Sequence, residues 1–171
     1  RRMATEGSRA LHEGPVAQAI AGLASAFDIQ VSYTAQQAAD VPWHFNPSVK
    51  ELAAAVDFLV LPELGPDATP KLVNAEVLQA LALKGYLVNL ANAGAVDMAA
   101  LTEALQKKTI AGAALDVFPE EPRVAAELRA LHNVVLTPHM GSATEQARKA
   151  MGEEGLRHLA EHFAADLAAD V

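Results

Sequence analysis

His139 is the side chain in this sequence with the clearest capacity for chemistry. It follows Thr137-Pro138 and comes shortly before Gly141. Imidazole changes its charge near neutral pH, so a histidine can give or take a proton during a reaction. A carboxylate beside such a ring would fix its orientation and favour its protonated form. Taken by itself, His139 is better explained as an ordinary loop residue near the start of a helix.

The elements that must position these residues alternate between helix and strand. Apolar residues recur at helical spacing from Gly14 to Phe27, and Pro15 stands where a first helical turn tolerates proline. Further patterns predict strands at 29–33, 58–61, 86–90, 110–115 and 133–136, helices at 49–56, 75–83 and 98–105 capped by Ser48, Asn74 and Asp97, and a final helix from a capping box at 142–145 to about 164. This alternation predicts an α/β fold, a Rossmann-like doubly wound parallel sheet in three layers.

The start of the chain departs from this pattern. Dinucleotide-binding folds open with an apolar strand before the phosphate loop, but Arg9-Ala10-Leu11 is too short to supply one. We therefore expect the first strand to be missing or rebuilt. The sequence predicts an irregular segment at residues 1–13 and one Rossmann-like domain at residues 14–171.

Composition excludes several classes of function. The 13 basic and 21 acidic residues give a net charge of -8, and no basic cluster suggests a nucleic-acid surface. No apolar run approaches the roughly 20 residues of a membrane helix, and the first residues lack the apolar core of a signal peptide. The absence of Cys excludes disulfides and thiolate chemistry. We expect a cytoplasmic protein with neither nucleic-acid nor membrane partners.

Several segments in order and at matching spacing resemble the D-2-hydroxyacid dehydrogenases, particularly the glyoxylate and hydroxypyruvate reductase-like members. The best match is Ala-Gly-Ala-Ala-Leu-Asp-Val-Phe-Pro-Glu-Glu-Pro; the matching segments are residues 40–43, 55–61, 87–91, 111–122 and 133–144. The resemblance implies the NAD(P)-binding domain of an oxidoreductase. It also implies a separate substrate domain that this sequence does not contain, so the chain is expected to be a fragment, an incompletely determined sequence or a degenerate relative.

The same resemblance assigns roles to individual residues. His139 would protonate the substrate carbonyl as hydride arrives from the nicotinamide, Glu121 would hydrogen-bond that histidine, and Asp116 would bind the nicotinamide amide. The implied cofactor is NAD or NADP. The implied substrate is a small 2-oxo or 2-hydroxy acid such as glyoxylate or hydroxypyruvate, and the implied assembly is a homodimer.

One catalytic position departs from the family pattern. Relatives carry a substrate-binding Arg in the segment Val-Asn-x-Ala-Arg-Gly, where this chain has Asn92. Asn can hydrogen-bond a carboxylate but lacks the charge and the bidentate fork of a guanidinium. We expect a 2-oxo acid to bind less well at Asn92, which leaves other substrates, or none, open.

The cofactor-binding positions are also altered. The glycine-rich phosphate loop is reduced to a segment in which Gly14, Pro15 and Val16 open the first helix, where backbone N–H groups favour a phosphate. Ala35 lies where an Asp would read the ribose of NAD or an Arg that of NADP, so the sequence does not separate the two cofactors. Leu90 and Gly141 are expected to border the cofactor.

Two other functions compete with this interpretation. His158-Leu159-Ala160-Glu161-His162 fits a short zinc-hydrolase motif, although a solvated helix face explains it better and we predict no metal site. A non-catalytic or vestigial dinucleotide-binding or dimerisation module would account for Asn92 and for the altered phosphate loop.

Overall fold

The computed structural model describes residues 2–6, 15–35, 37–62, 71–141 and 143–169. Its elements in chain order are β1 (Arg2–Glu6), α1 (Pro15–Ala26), β2 (Gln30–Thr34), β3 (His44–Phe45), α2 (Val49–Ala55), β4 (Phe58–Leu61), α3 (Ala75–Leu81), β5 (Tyr86–Asn89), a 3-10 helix (Ala93–Ala95), α4 (Met98–Gln106), β6 (Gly112–Leu115), α5 (Ala126–Arg129), β7 (Val134–Leu136) and α6 (Glu145–Ala169). The chain divides into two compact units, residues 1–138 and residues 139–171, which are described separately.

The strands of the first unit form one sheet in the order β3-β2-β1-β4-β5-β6-β7. All neighbouring strands are parallel. Strand order reverses between β1 and β4, which is the switch point of a doubly wound fold. The expected Rossmann-like α/β class is confirmed.

Strand β1 overturns one expectation about the start of the chain. Arg2–Glu6 is a strand, and it pairs with β2 and β4 at the centre of the sheet. The expected irregular segment at residues 1–13 is therefore wrong for Arg2–Glu6, and the first strand is not missing. Its polar sequence lacks the usual apolar signal, but a central position gives its backbone hydrogen-bonding partners on both sides, and such tertiary context overrides weak local propensity.

Helices cover both faces of the sheet. Ala21 and Ala24 of α1 pack with Val31 on one face. On the other face α2, α3, α4 and α5 enclose a core that includes Leu59 and Leu87, both fully buried. Truncating either leucine to Ala is expected to cost about 2–5 kcal/mol, because it would leave a cavity in this layer.

Helix ends follow the local sequence closely. The side chains of Ser48, Asn74 and Asp97 accept hydrogen bonds from backbone N–H groups in the first turns of α2, α3 and α4. These three predicted caps are confirmed. The capping box predicted for α6 includes Ser142, which lies outside the described residues.

Candidate functional site

The carboxyl ends of the parallel strands form the edge of the sheet at which open α/β folds bind ligands. Three polar residues lie at consecutive strand ends along this edge. Asn89 ends β5, Asp116 follows β6, and Thr137 follows β7. The edge therefore concentrates hydrogen-bonding groups at the ends of β5, β6 and β7.

Asp116 is a buried carboxylate fastened to its neighbours. It is only 3% exposed, and the hydroxyl of Thr137 donates a hydrogen bond to its Oδ1 at 2.5 Å. The backbone N–H of Asp116 donates to the carbonyl of Asn89 at 3.0 Å, and the N–H of Thr137 donates to the carbonyl of Leu115 at 3.0 Å. Buried polar groups in folded proteins are hydrogen-bonded, and these contacts fix the position of Asp116 at the edge.

Asn89 organises the loop that follows β5. Its side chain is completely buried; Nδ2 donates to the carbonyl of Asn92 at 2.9 Å, and Oδ1 accepts from the N–H of Ala91 at 3.1 Å. Leu90 continues the strand ladder, since its N–H donates to the carbonyl of Leu61 at 2.9 Å. Both polar atoms of the Asn89 amide hydrogen-bond to this loop, and these bonds fix its conformation.

The side chain of Asn92, at the position where the resembling family has Arg, makes a hydrogen bond within its own loop. Its Oδ1 accepts a hydrogen bond from the N–H of Ala95 at 2.9 Å and caps the 3-10 helix Ala93–Ala95. The residue itself is exposed. A capping amide holds its oxygen toward the backbone, so only the amide nitrogen is left to meet an anion at this position.

Lys71, which precedes α3, contacts the same loop after β5. The N–H of Lys71 donates to the carbonyl of Gly94 at 2.8 Å, and its ammonium lies 3.0 Å from Oδ2 of Asp97. The pKa of the Asp97 carboxyl lies below its ordinary value. The largest cause is the hydrogen bond from the N–H of Ala100, and the second is the hydrogen bond from the Lys71 side chain. The positive charge of Lys71 is therefore paired with the cap of α4.

The structure places Glu121 in the loop between β6 and α5. Its Oε1 accepts a hydrogen bond from the N–H of Phe118 at 3.0 Å, which ties the carboxylate to its own turn. Ala35 directly follows β2, and Val16 is an exposed residue in the first turn of α1. Pro15 is the first residue of α1, and Gly14 lies outside the described residues.

His139 and Gly141 belong to the second unit, so their positions are given within that unit alone. His139 is exposed and has a φ of 50°, in the left-handed region. Among the residues that the structure describes, four other non-glycine residues also have positive φ, namely Asp28, Lys71, Ala82 and Lys108. Backbone strain therefore does not by itself distinguish His139.

His158 and His162 of α6 contact neighbouring side chains of the same helix. Glu161 accepts a hydrogen bond from Nη1 of Arg157 at 2.5 Å, Nη2 of the same arginine lies 2.9 Å from the ring of His158, and the ring of His162 contacts Phe163. Across the described ranges, no group of three His, Cys, Asp or Glu side chains is placed to hold a metal ion. No described helix is long and apolar enough to cross a membrane.

The sequence analysis did not identify two of the three polar residues at this edge as functional. Asn89 and Thr137 stand at predicted strand ends, and a search for polar residues at those positions would have found them. Their hydrogen-bond partners come from different segments, so their roles were not visible in the sequence.

A family model matches most of the chain. Residues 12–141 match the family described as D-isomer specific 2-hydroxyacid dehydrogenase, NAD binding domain. Among individual relatives, a 2-ketogluconate reductase of Gluconobacter oxydans is 40% identical over 88% of this chain and 49% of its own length. A glyoxylate/hydroxypyruvate reductase A of Arabidopsis thaliana is 39% identical over 88% of this chain and 48% of its own length.

Solved structures give the same result. An NADPH-dependent glyoxylate/hydroxypyruvate reductase of Sinorhizobium meliloti, in complex with NADP and malonate, aligns with a TM-score of 0.80 and 38% identity. The alignment covers 90% of this chain and 47% of that enzyme. The chain thus spans about half the length of the relatives it matches.

Proposed function

Because the chain belongs to the NAD-binding domains of the D-isomer specific 2-hydroxyacid dehydrogenases, we propose that it is the cofactor half of an oxidoreductase. The reaction is hydride transfer between NAD(P)H and a small 2-oxo acid. The hydrogen-bonded cluster of Asn89, Asp116 and Thr137 at the ligand-binding edge of the sheet carries this proposal. Glyoxylate and hydroxypyruvate are the first substrates to test, because relatives at about 40% identity are named for them.

The roles of individual residues are proposed from the resemblance to the family. When bound, NAD(P)H would supply the hydride. His139 would give the proton to the substrate carbonyl oxygen, Glu121 would orient that imidazole and favour its protonated form, and Asp116 would bind the carboxamide of the nicotinamide. Asn92 offers an amide N–H to the substrate carboxylate in place of a guanidinium, so substrate affinity is weaker than in a relative with Arg.

Cofactor contacts are proposed along the same edge. Gly14, Pro15 and Val16 would border the pyrophosphate, and of these only Gly14 and Val16 carry a backbone N–H that could donate to it. Ala35 would lie beside the adenosine ribose, and Leu90 and Gly141 beside the nicotinamide. The proposal is consistent with the positions of Ala35 and Leu90 directly after β2 and β5.

The test begins with calorimetric titration of the purified chain with NADH and with NADPH. Saturable binding of at least one nucleotide is expected, and glyoxylate and hydroxypyruvate reduction is then assayed. His139→Ala should lower turnover by roughly 10²–10⁴-fold and leave nucleotide affinity unchanged, because it removes only the proton donor. His132→Ala, at an exposed histidine before β7, is the matched control. A folded chain that binds neither nucleotide contradicts the proposal.

A non-catalytic dinucleotide-binding or dimerisation module is the second candidate. The observation that favours it is the capping bond of Asn92 to Ala95, which commits the altered substrate anchor to a structural task. Nucleotide binding without measurable turnover of either acid would support this candidate over the enzyme.

A homodimer is proposed on the basis of the outer face of α1. This helix contains no charged residue, and Leu23 and the adjoining Phe27 are 64% and 77% exposed. A second copy of the same uncharged face could cover them without burying a charge. Location in the cytoplasm stays a prediction of the sequence.

A further inference from the structure

Two buried polar residues lie at the carboxyl ends of β2 and β3. Thr34 is 5% exposed and Asn46 is 7% exposed. Tyr33 of β2 is in register with Phe45 of β3, so the residues that follow them, Thr34 and Asn46, are neighbours across the two strands. The N–H of Asn46 donates to the carbonyl of Tyr33 at 2.8 Å, which continues the pairing to this point.

Thr34 and Asn46 share one face of the sheet. The rings of Tyr33 and Phe45 contact each other, with centroids 5.4 Å apart, on the opposite face. Successive side chains of a strand alternate between faces, so the next residue of each strand points the other way. A hydroxyl and an amide are thus placed side by side at the edge where ligands bind.

The amide nitrogen of Asn46 has no hydrogen-bond partner among the described residues. Its Nδ2 is buried and makes no hydrogen bond to any part of the chain that the structure describes. Buried donors are almost always paired, because leaving one unpaired sacrifices its hydration without compensation. An exception at a ligand-binding edge indicates a donor that a ligand satisfies.

The position of this pair identifies which part of a ligand it would meet. In dinucleotide-binding sheets the adenosine ribose is read at the carboxyl end of the second strand, ordinarily by an acidic residue or an arginine. Residues 34–37 contain neither. Thr34 and Asn46 are the polar groups that the fold brings to this place instead.

Charge decides between the two forms of the cofactor. A 2′-phosphate carries a charge of about -1.5 to -2 at neutral pH and needs cations around it. From Thr34 to Pro47 the sequence contains no Lys or Arg and one acidic residue, Asp40. An amide and a hydroxyl match the uncharged diol of a ribose and do not compensate a phosphate.

We infer that Thr34 and Asn46 bind the adenosine ribose hydroxyls, and that the chain therefore prefers NAD(H) to NADP(H). This inference rests on the proposed function, because it concerns the same nucleotide. The expected preference for NAD(H) differs from that of the Sinorhizobium meliloti enzyme described above, which is NADPH-dependent.

The test compares NADH and NADPH by calorimetric titration of the wild-type chain and of Asn46→Leu. The wild type should bind NADH at least about tenfold more tightly than NADPH, and Asn46→Leu should weaken NADH binding roughly five- to tenfold. The same substitution should raise the thermal midpoint by about 2–4 °C, because it removes an unpaired buried donor. Thr34→Val, which keeps the side-chain shape, should also weaken NADH binding.

Asn133→Leu provides the matched control. Nδ2 of Asn133 is satisfied by the carbonyl of Leu105 at 3.2 Å, far from the carboxyl edge because Asn133 precedes β7. This variant should lower the thermal midpoint and leave NADH affinity unchanged. A merely structural Asn46 would behave like Asn133 in both measurements.

The outcomes separate this inference from the proposed function. Tighter binding of NADPH by the wild type, or NADH affinity unchanged in both Asn46→Leu and Thr34→Val, would overturn the ribose assignment and leave the oxidoreductase proposal standing. Failure of the folded wild type to bind either nucleotide would overturn both.

Discussion

The hydroxyl of Thr137 lies 2.5 Å from Oδ1 of Asp116 and joins the carboxyl ends of β6 and β7. The two residues are 21 positions apart in the chain, so only the parallel pairing of the strands brings them together. This bond fixes a buried carboxylate at the edge of the sheet where the cofactor is proposed to bind.

Thr137→Val should destabilise the protein, because it keeps the shape of the side chain and removes the donor to Asp116. A hydrogen bond to a charged group contributes about 1.5–3 kcal/mol, and the free energy of unfolding in urea should fall by about this amount. Thr137→Ser keeps the hydroxyl and should lose much less. Equal stability of the Val and Ser variants would show that the bond contributes nothing.

Asn89→Leu should loosen the loop after β5. The variant loses the bonds to the carbonyl of Asn92 and from the N–H of Ala91, and we expect a loss of roughly 2 kcal/mol or more in unfolding free energy. Hydrogen exchange of the Ala91 amide should accelerate beyond what the lower global stability explains. Asn133→Leu serves for comparison, and equal exchange of Ala91 in the two variants would refute a special role for Asn89.

Asn92→Arg should strengthen the binding of a 2-oxo acid, since it restores a bidentate cation at the family position. The gain expected from a charged hydrogen bond is roughly one to two orders of magnitude in KM for glyoxylate at saturating nucleotide. The variant also loses the cap on Ala95, so its thermal midpoint should fall slightly. Asn92→Ala loses the cap and the amide N–H and gains no cation, and an identical KM in both variants would argue against the substrate contact.

Asp97 should give the protein a component of acid sensitivity. Its folded pKa is lowered, first by the N–H of Ala100 and then by Lys71, so its stabilising effect is present above the unfolded pKa of about 3.9. That effect is lost as the pH falls through the folded pKa. Asp97→Asn keeps a capping oxygen but does not titrate.

The measurement is the thermal midpoint of wild type and Asp97→Asn between about pH 2 and pH 6. The wild type should be the more stable of the two at the upper end, and the difference should shrink toward the lower end. A difference that is constant across this range would mean that the ionisation of Asp97 does not contribute.

Leu23→Glu should disrupt the proposed homodimer, because a charge on the outer face of α1 would be buried against a second copy. Sedimentation velocity should show a dimer for the wild type and a monomer for the variant. Leu83→Glu, at a residue that is 66% exposed outside this face, is the control. A dimer that survives Leu23→Glu would exclude α1 as the contact.

Local features were predictable from the sequence because their causes are local. The caps Ser48, Asn74 and Asp97 act on N–H groups within three residues of themselves. Buried strands such as Phe58–Leu61 show as short apolar runs in any parallel sheet. The α/β class followed from the alternation of these elements.

Two strands escaped prediction for the opposite reason. Arg2–Glu6 and His44–Phe45 have little strand character of their own, and both exist through pairing with Gln30–Thr34. Pairing partners that are distant in sequence cannot be read from a short window of residues.

The sequence by itself determined the family, the α/β class and the candidates His139, Glu121 and Asn92. Only the tertiary structure decided what several polar groups do: Thr137 binds Asp116, Asn92 caps its own loop, and Asn46 is buried beside Thr34 with no partner for its amide nitrogen in the described part of the chain. The reason is physical. A residue type sets which hydrogen bonds are available, but the register of the parallel strands sets which of them can be made.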